Sequence, residues 1–221
     1  MEPLLDDVET RVLGVLIEKE TTTPDYYPLT LNALATACNQ KSNRFPVVAF
    51  EEKAVVRALD KLRDKGLARM VSGADMRVPK YYHLFAEKFD LAPPQVAALC
   101  VLMLRGPQTV GEIRGRAGRL YEFADLEEVE QTLRELGAQS EGPMVSQLER
   151  QKGRKEVRYA HRLAGEPDPV AEEEREGPLE PAALEVRAEN ERIAALEGEV
   201  EALRGELEAL RQAFEEFKGQ F

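Results

Sequence analysis

The feature that most constrains the fold of this chain is an internal repeat. The helical apolar pattern of residues 55–62 returns 74 residues later, and so does the Met-Val-Ser of residues 70–72. The Lys-Tyr-Tyr-His of residues 80–83 returns at an offset of 78 as Arg-Tyr-Ala-His. A nearly constant offset that runs through a helix and into a strand predicts a duplicated domain, with a second hairpin four residues longer.

Each copy shows three helical patterns followed by two strand patterns. In the first copy, the first helix is expected to begin at the N-cap Asp7 and to end near Glu20. The second helix follows the cap Thr30, and the third spans residues 51–65. Residues 68–83 are expected to form a β-hairpin around a turn. Three helices and then a hairpin is the order of a winged-helix domain.

The second copy repeats this order, with Thr109 and Asp125 as expected helix caps. The predicted fold class is mainly α with small β-hairpins (α+β). It comprises tandem winged-helix domains at residues 1–88 and 89–165, an acidic Pro/Glu-rich linker at 166–181 and a C-terminal coiled-coil helix at 182–221.

The excess of acidic over basic residues lies entirely in the last quarter of the chain. Residues 166–221 contain 17 acidic and 6 basic residues, which accounts for the whole formal net charge of −11. Residues 1–165 are therefore neutral overall. The low isoelectric point says nothing against nucleic-acid binding by the two repeats.

A heptad pattern in residues 186–221 predicts a parallel two-stranded coiled coil and hence a homodimer. The expected a positions Val186, Ile193 and Val200 are β-branched, the d positions Leu196, Leu203 and Leu210 are Leu, and flanking charges of opposite sign agree with this pairing. The expected dimerisation residues are Val186, Ile193, Leu196, Val200, Leu203, Leu207, Leu210, Phe214 and Phe217. A single amphipathic helix, an antiparallel pair and a different partner helix are the alternatives.

No sequence motif indicates an enzyme, a cofactor or a metal. The chain lacks a Gly-rich phosphate loop, a nucleophile elbow, an HExxH motif and a CxxC pair. The two histidines, His83 and His161, end the repeated hairpins, where a structural role is the ordinary one. We therefore expect no enzymatic activity, no cofactor and no metal site.

The chain is expected to be cytoplasmic and not to enter a membrane. No apolar run is long enough to span a bilayer, and the N-terminus has no basic stretch leading into an apolar one. Cys38 and Cys100 lie in helix-like apolar segments and fit a reducing compartment better than a disulfide framework.

The first repeat contains most of the residues that we expect to contact nucleic acid. A winged-helix domain places its third helix in the major groove and its hairpin along the backbone. Cations suited to phosphate contact lie in the loop before the third helix, on that helix and on the hairpin. They are Lys41, Arg44, Lys53, Arg57, Lys61, Arg77 and Lys80.

The second repeat has an acidic third helix, which is a poor candidate for entering a groove. Its cations lie on the second helix and in the hairpin, where they are suited to phosphate contact only. They are Arg114, Arg116, Arg119, Lys152, Arg154 and Lys155.

These patterns favour a dimeric DNA-binding, transcription-regulator-like protein, because a two-fold axis matches palindromic sites. The alternative is a protein–protein interaction adaptor without DNA binding, since tandem winged helices also serve as scaffolds. The partners expected are thus a second copy of the chain, double-stranded DNA or another protein.

Five segments closely resemble the YceH family of bacterial proteins. They are residues 16–24, 27–30, 37–44, 71–81 and 104–112, including the run Asn-Gln-Lys-Ser-Asn-Arg at 39–44. The resemblance covers about residues 5–163 and implies a tandem winged-helix fold, but no specific activity. The segment after Gly165 is expected to be an addition that most members lack.

The polar run 39–44 lies in a loop much longer than the turn of a simple helix-turn-helix. One interpretation is structural, with these side chains capping the neighbouring helices. The other is that Asn39, Gln40, Lys41, Asn43 and Arg44 form a recognition surface. Under the second interpretation, alanine at Lys41 and Arg44 abolishes partner binding and leaves thermal stability nearly unchanged.

Overall fold

Two copies of one arrangement of helices and strands form the described part of the chain. The computed structural model describes residues 4–73, 77–139, 142–149 and 157–166. The linker and the heptad segment, with all the expected dimerisation residues, lie outside them. So do Lys152, Arg154 and Lys155 of the second hairpin. The described residues belong to one compact unit, and the boundary expected at residue 88 stays a prediction.

The first copy contains three helices and a three-stranded sheet. Its elements are α1 (Asp7–Thr22), a 3-10 turn (Pro24–Tyr26), β1 (Leu29–Thr30), α2 (Leu31–Cys38), α3 (Glu52–Asp64), β2 (Ala68–Val71) and β3 (Lys80–His83). A short helix, α4 (Phe85–Phe89), follows and connects the copies.

The second copy has the same order of helices and strands. Its elements are α5 (Pro93–Arg105), β4 (Gln108–Thr109), α6 (Val110–Ala117), α7 (Leu126–Gly137), β5 (Val145–Gln147) and β6 (Arg158–His161). Both sheets are antiparallel, with strand orders β1-β3-β2 and β4-β6-β5. The fold is therefore mixed α+β with small antiparallel sheets, as expected at that level.

The helix caps confirm most of the predicted starts. The hydroxyls of Thr30 and Thr109 accept from backbone amides three residues on, and so does the carboxylate of Asp125. The first cap was misplaced by one residue, because Asp6 accepts from the amide of Glu9 and Glu9 accepts from Asp6 in return. Asp7 is the first residue inside α1.

The predicted alignment of the two hairpins is wrong by three residues. The Leu67 amide donates to Leu62 (2.8 Å) and its carbonyl accepts from Leu84; the amide of Met144 donates to Leu136 (2.9 Å) and its carbonyl accepts from Arg162. Met144 thus corresponds to Leu67 and not to Met70. The extra residues of the second copy lie mainly between α7 and β5, and the hairpin itself gains one residue.

The two copies share one hydrophobic core, with α1 packed against α5. Both helices are buried on nearly all sides, since each lies between its own copy and the other. Gly14 allows this close approach: a Cβ there would meet Leu104 Cδ2 at 2.9 Å and Met103 Cβ at 3.3 Å. The Cys100 thiol also donates to the Gly14 carbonyl (3.4 Å).

Candidate nucleic-acid interface

The third helix of the first copy, α3, has a buried face and a charged face. Its apolar residues Val55, Ala58, Leu59 and Leu62 are all at most 2% exposed. Lys53, Arg57 and Lys61 are exposed and lie four residues apart, so they form one row along the helix. We call these three residues the basic stripe.

Two members of the basic stripe have no acidic partner in the part of the chain that the structure describes. Within the described residues, no ion pair or hydrogen bond is formed by the side chains of Lys53 and Arg57. Lys61 instead pairs with Asp6 (2.7 Å), and this hydrogen bond raises the pKa of the lysine. The stripe therefore offers two unpaired cations at its N-terminal end.

The hairpin of the first copy adds exposed cations beside apolar side chains. Arg69 and Arg77 are exposed, whereas Lys80 is half-buried in β3, opposite Thr30 of β1. Met70 is 37% exposed and Val78 is 53% exposed. This surface has both charged and apolar character.

The polar loop between α2 and α3 is closed by a side chain. The Asn39 amide group donates to the Phe50 carbonyl (2.9 Å) and accepts from the Phe50 backbone amide (2.7 Å). Residues 39–50 therefore form a compact loop whose ends are held together. The hydrogen bonds of the Asn39 side chain thus close the loop.

Arg44 lies in the interior, held by an ion pair. Its side chain is 0% exposed and donates twice to Glu18, at 2.9 and 2.5 Å. Burial alone would raise the pKa of Glu18, but the hydrogen bonds and charge of Arg44 lower it overall. Arg44 also donates to Gln40 (3.1 Å) and to the carbonyl of Ala37 (3.3 Å).

A second buried arginine supports the same loop from α1. Arg11 donates to the carbonyls of Pro46 (2.7 Å) and Cys38 (3.3 Å). Burial and the nearby charge of Arg44 lower the pKa of Arg11 to about 10. The charged residues Arg11 and Glu18, which flank the apolar run 12–17 of α1, were the sequence signal for this site, and the sequence analysis missed it.

The loop also contacts the second copy. The amide of Phe45 donates to the carbonyl of Leu104 (2.8 Å) at the end of α5. The Arg105 guanidinium donates to the side-chain carbonyl of Asn43. Asn43 itself has a left-handed backbone (φ 59°), which Asn tolerates well.

The expectation that all five loop residues face a partner therefore needs correction. Asn39, Gln40, Asn43 and Arg44 make the internal contacts just described, and Arg44 is not available to a phosphate group. Lys41 is exposed, and its side chain makes no hydrogen bond or ion pair with the described residues. It remains the candidate contact of this loop.

The expected cations of α6 mostly serve the fold of the second copy. Arg114 donates to the carbonyls of Ala124 (2.9 Å) and Phe123 (3.4 Å), which holds the loop before α7. Arg116 donates to Gln108 and pairs with Glu112 (3.3 Å). Arg119, expected on the same helix, lies two residues beyond the end of α6; it is exposed and also interacts with a neighbouring group.

The third helix of the second copy, α7, is acidic where α3 is basic. The helical offset of 74 residues places Glu127, Gln131 and Glu135 at the positions of the basic stripe. All three are exposed. Among the exposed residues of α7, Arg134 is the single cation.

The two cysteines are buried and free. Burial raises the pKa of the Cys38 thiol to about 12 and raises that of Cys100 as well. Both thiols are therefore protonated at neutral pH and poorly nucleophilic. Across the described segments, no group of three or more His, Cys, Asp or Glu side chains is arranged to hold a metal ion.

None of the helices in the described residues is long and apolar enough to cross a membrane.

Comparison with known proteins shows the family. A family model described as "Protein of unknown function, DUF480" matches residues 5–154. UPF0502 proteins of Geobacter sulfurreducens and Geobacter metallireducens are each 61% identical, over 100% of this chain and of their own. A UPF0502 protein of Opitutus terrae is 56% identical over 163 residues, which is 74% of this chain and 71% of its own.

The alignments with the two Geobacter proteins also include the segment after Gly165, whereas the family model ends before it. These matches cover well over half of the chain, so the chain belongs to the family described as DUF480, whose members are named UPF0502 proteins.

Proposed function

We propose that this protein binds duplex DNA through α3 of its first copy, and that the two copies are winged-helix domains. The observation that supports this most strongly is the exposed basic stripe, in which Lys53 and Arg57 have no acidic partner among the described residues. Unpaired cations on an exposed helix face suit both phosphate contact and the acceptor groups of guanine.

The order of elements supports the winged-helix assignment. Each copy has a helix, a short strand, two helices and a hairpin, and the short strand completes the sheet. In DNA-binding helix-turn-helix domains, the recognition helix enters the major groove. In this arrangement Arg69 and Arg77 of the hairpin contact the flanking backbone.

The second copy has a different role in this proposal. With Glu127 and Glu135 at the corresponding positions, α7 would repel the phosphates that line a groove. Its arginines Arg114 and Arg116 hold loops and neighbouring side chains. We therefore assign base contact to the first copy alone.

Dimerisation through the heptad segment is a further part of the proposal. A parallel coiled coil after residue 182 would relate two copies of α3 by a two-fold axis. Such a dimer reads two half-sites of a palindrome, spaced by whole helical turns. The support here is the heptad pattern and its flanking charges.

A protein-interaction adaptor is the second candidate. Its support is the exposed apolar side chains beside the cations of the first copy, Val56 at 36%, Met70 at 37% and Val78 at 53%. Protein interfaces combine apolar and cationic side chains in this way. The two candidates differ in their response to DNA.

The test is binding of the full chain to a random-sequence duplex library over a salt series. We expect retention at low salt that weakens steeply as salt rises, because each phosphate contact releases counterions. The variant Lys53→Ala/Arg57→Ala should reduce the salt slope by about 2 and the affinity by at least tenfold.

The matched control is Lys88→Ala/Arg134→Ala, which removes two exposed cations from α4 and α7 and should bind like the wild type. If the wild type is not retained even at low salt, DNA binding is excluded and the adaptor becomes the leading function.

A further inference from the structure

The two copies are joined by a chain of polar contacts at the end of α5. Glu18 accepts from Arg44, and Arg44 donates to the backbone carbonyl of Asn43 (2.9 Å). The side chain of Asn43 accepts from Arg105. These hydrogen bonds thus link α1, the loop between α2 and α3, and the end of α5 in the second copy.

The same series of polar contacts continues to α6. Gln108 donates to the carbonyls of Pro107 (2.8 Å) and Arg105 (3.1 Å), and its own side-chain oxygen accepts from Arg116. We call the contacts from Glu18 to Arg116 the junction network. Residues 37–44 and 104–112, which carry the family resemblance, form most of it.

The junction network has more cations than carboxylates. Its cations and those next to it are Arg11, Lys19, Lys41, Arg44, Arg105 and Arg116, against the carboxylates Glu18 and Glu112. Burial, followed by the charges of Arg116 and Arg44, lowers the pKa of Arg105 to about 10. Uncompensated positive charge near the surface attracts anions.

Part of this charge is accessible. Lys41 and Arg116 are exposed, and Arg105 is half-buried. Arg11 and Arg44 lie behind them in the interior. The network therefore presents an exposed rim, Lys41, Arg105 and Arg116, to which both copies contribute.

The loop that carries Lys41 is closed next to the N-terminal end of the basic stripe. Asn39, two residues before Lys41, is bonded to Phe50, two residues before α3 begins. The other end of α3 lies beside the start of α1, where Lys61 pairs with Asp6. Lys41 therefore belongs to a loop that begins next to the N-terminal end of α3 and, through Asn43, contacts Arg105 of the second copy.

We propose that the rim binds backbone phosphates of the duplex that α3 contacts, which extends the DNA interface across the junction to the second copy. This inference rests on the proposed function. It assigns the second copy a phosphate contact although α7 is acidic. The ligand class is the phosphodiester oxygen, which Arg and Lys bind without reading sequence.

The test compares Lys41→Gln/Arg116→Gln with the control Lys88→Gln/Arg134→Gln, which removes equal charge elsewhere. Both are titrated with a short duplex of about 10 bp, one helical turn, and a long duplex of about 30 bp. We expect the rim variant to bind the short duplex like the wild type. On the long duplex it should lose tenfold or more in affinity, with a salt slope shallower by about 2.

Arg116 also holds Gln108, so thermal unfolding of the rim variant is measured in parallel. Lys41→Glu is the second variant, because the exposed Lys41 side chain makes no hydrogen bond or ion pair with the described residues; it should weaken binding to the long duplex only. If both variants bind the long duplex like the control, the rim inference is overturned and the α3 proposal stands. If the wild type binds neither duplex, both fail.

Discussion

The third helices of the two copies share a buried face and differ on the exposed one. Val55, Leu59 and Leu62 of α3 correspond to equally buried Val129, Leu133 and Leu136 of α7. On the exposed side, Lys53 and Arg57 of α3 correspond to Glu127 and Gln131. The packing has been kept while the surface chemistry has diverged, so the two copies are structural equivalents with different binding roles.

The loops before these helices differ in the same way. In the first copy, two buried arginines and a closing asparagine hold a long loop against α1, and Asn43 and Phe45 of that loop contact the second copy. In the second copy, Arg114 donates to two carbonyls of a shorter loop, and Glu128 accepts from the Tyr121 hydroxyl and the Ala124 amide. The elaborated loop and the basic stripe belong to the same copy, which supports a binding surface on that copy.

Removing the buried arginine of the first loop should have the largest effect on stability. We expect Arg44→Ala to lower the free energy of unfolding by about 3–5 kcal/mol, because the mostly buried Glu18 carboxylate loses both hydrogen bonds from Arg44 and keeps only its longer contact with Lys19. Lys41→Ala, in the same loop, should change it by about 0.5 kcal/mol or less. Urea unfolding of the two variants measures both, and equal stability would contradict the structural role of the loop.

The two histidines at the hairpin ends have different surroundings. His83 contacts Glu20 (2.8 Å) and accepts from the amide of Phe85, whereas Nδ1 of His161 is buried without a partner among the described residues. Burial lowers the pKa of His161 to about 4, although Asp7 partly opposes this. The unfolded chain, with an ordinary pKa near 6.5, therefore binds the proton more readily than the folded one.

The contribution of the neutral His161 side chain to the free energy of unfolding should thus be fully present above about pH 6.5 and be lost as the pH falls to about 4. The loss should reach at most about 3 kcal/mol. The variant His161→Leu should show a flatter profile between these pH values. Unfolding curves at a series of pH values test this, and equal slopes in variant and wild type would refute it.

A pair of glycine substitutions tests the contact between the copies. Gly14→Ala should lose about 1–2 kcal/mol, because the new methyl group meets Leu104 and Met103 across the α1–α5 contact. Gly115→Ala in α6 meets no atom within 4 Å and should gain up to about 1 kcal/mol from helix propensity. A gain in stability from both substitutions would show that α1 and α5 are packed less closely than in the structure.

The sequence predicted the helices well because their apolar periodicity is strong. The third helix expected at residues 51–65 is observed at Glu52–Asp64. The two-residue strands β1 and β4 were missed, since two residues carry no periodic signal. The hairpin alignment was wrong because Met-Val-Ser occurs in the two copies at positions that are not equivalent. No sequence signal marks the extra residues between α7 and β5.

The sequence predicted one part of the candidate site and not another. The basic stripe follows from helix geometry alone, because the apolar face determines which residues point outward. The burial of Arg44 does not follow, since its partner Glu18 lies 26 residues away and only the tertiary fold brings the two together. Local polarity therefore made a structural loop resemble a recognition surface.

The measurement that tests the central claim most directly gives α3 the residues of α7. The variant Lys53→Glu/Arg57→Gln is compared with the charge-matched Lys88→Gln/Arg134→Glu in duplex binding over a salt series. We predict that the first variant loses DNA binding while the second retains it, and that both remain folded. Equal binding by the two variants would contradict the claim that the first copy reads DNA through its third helix.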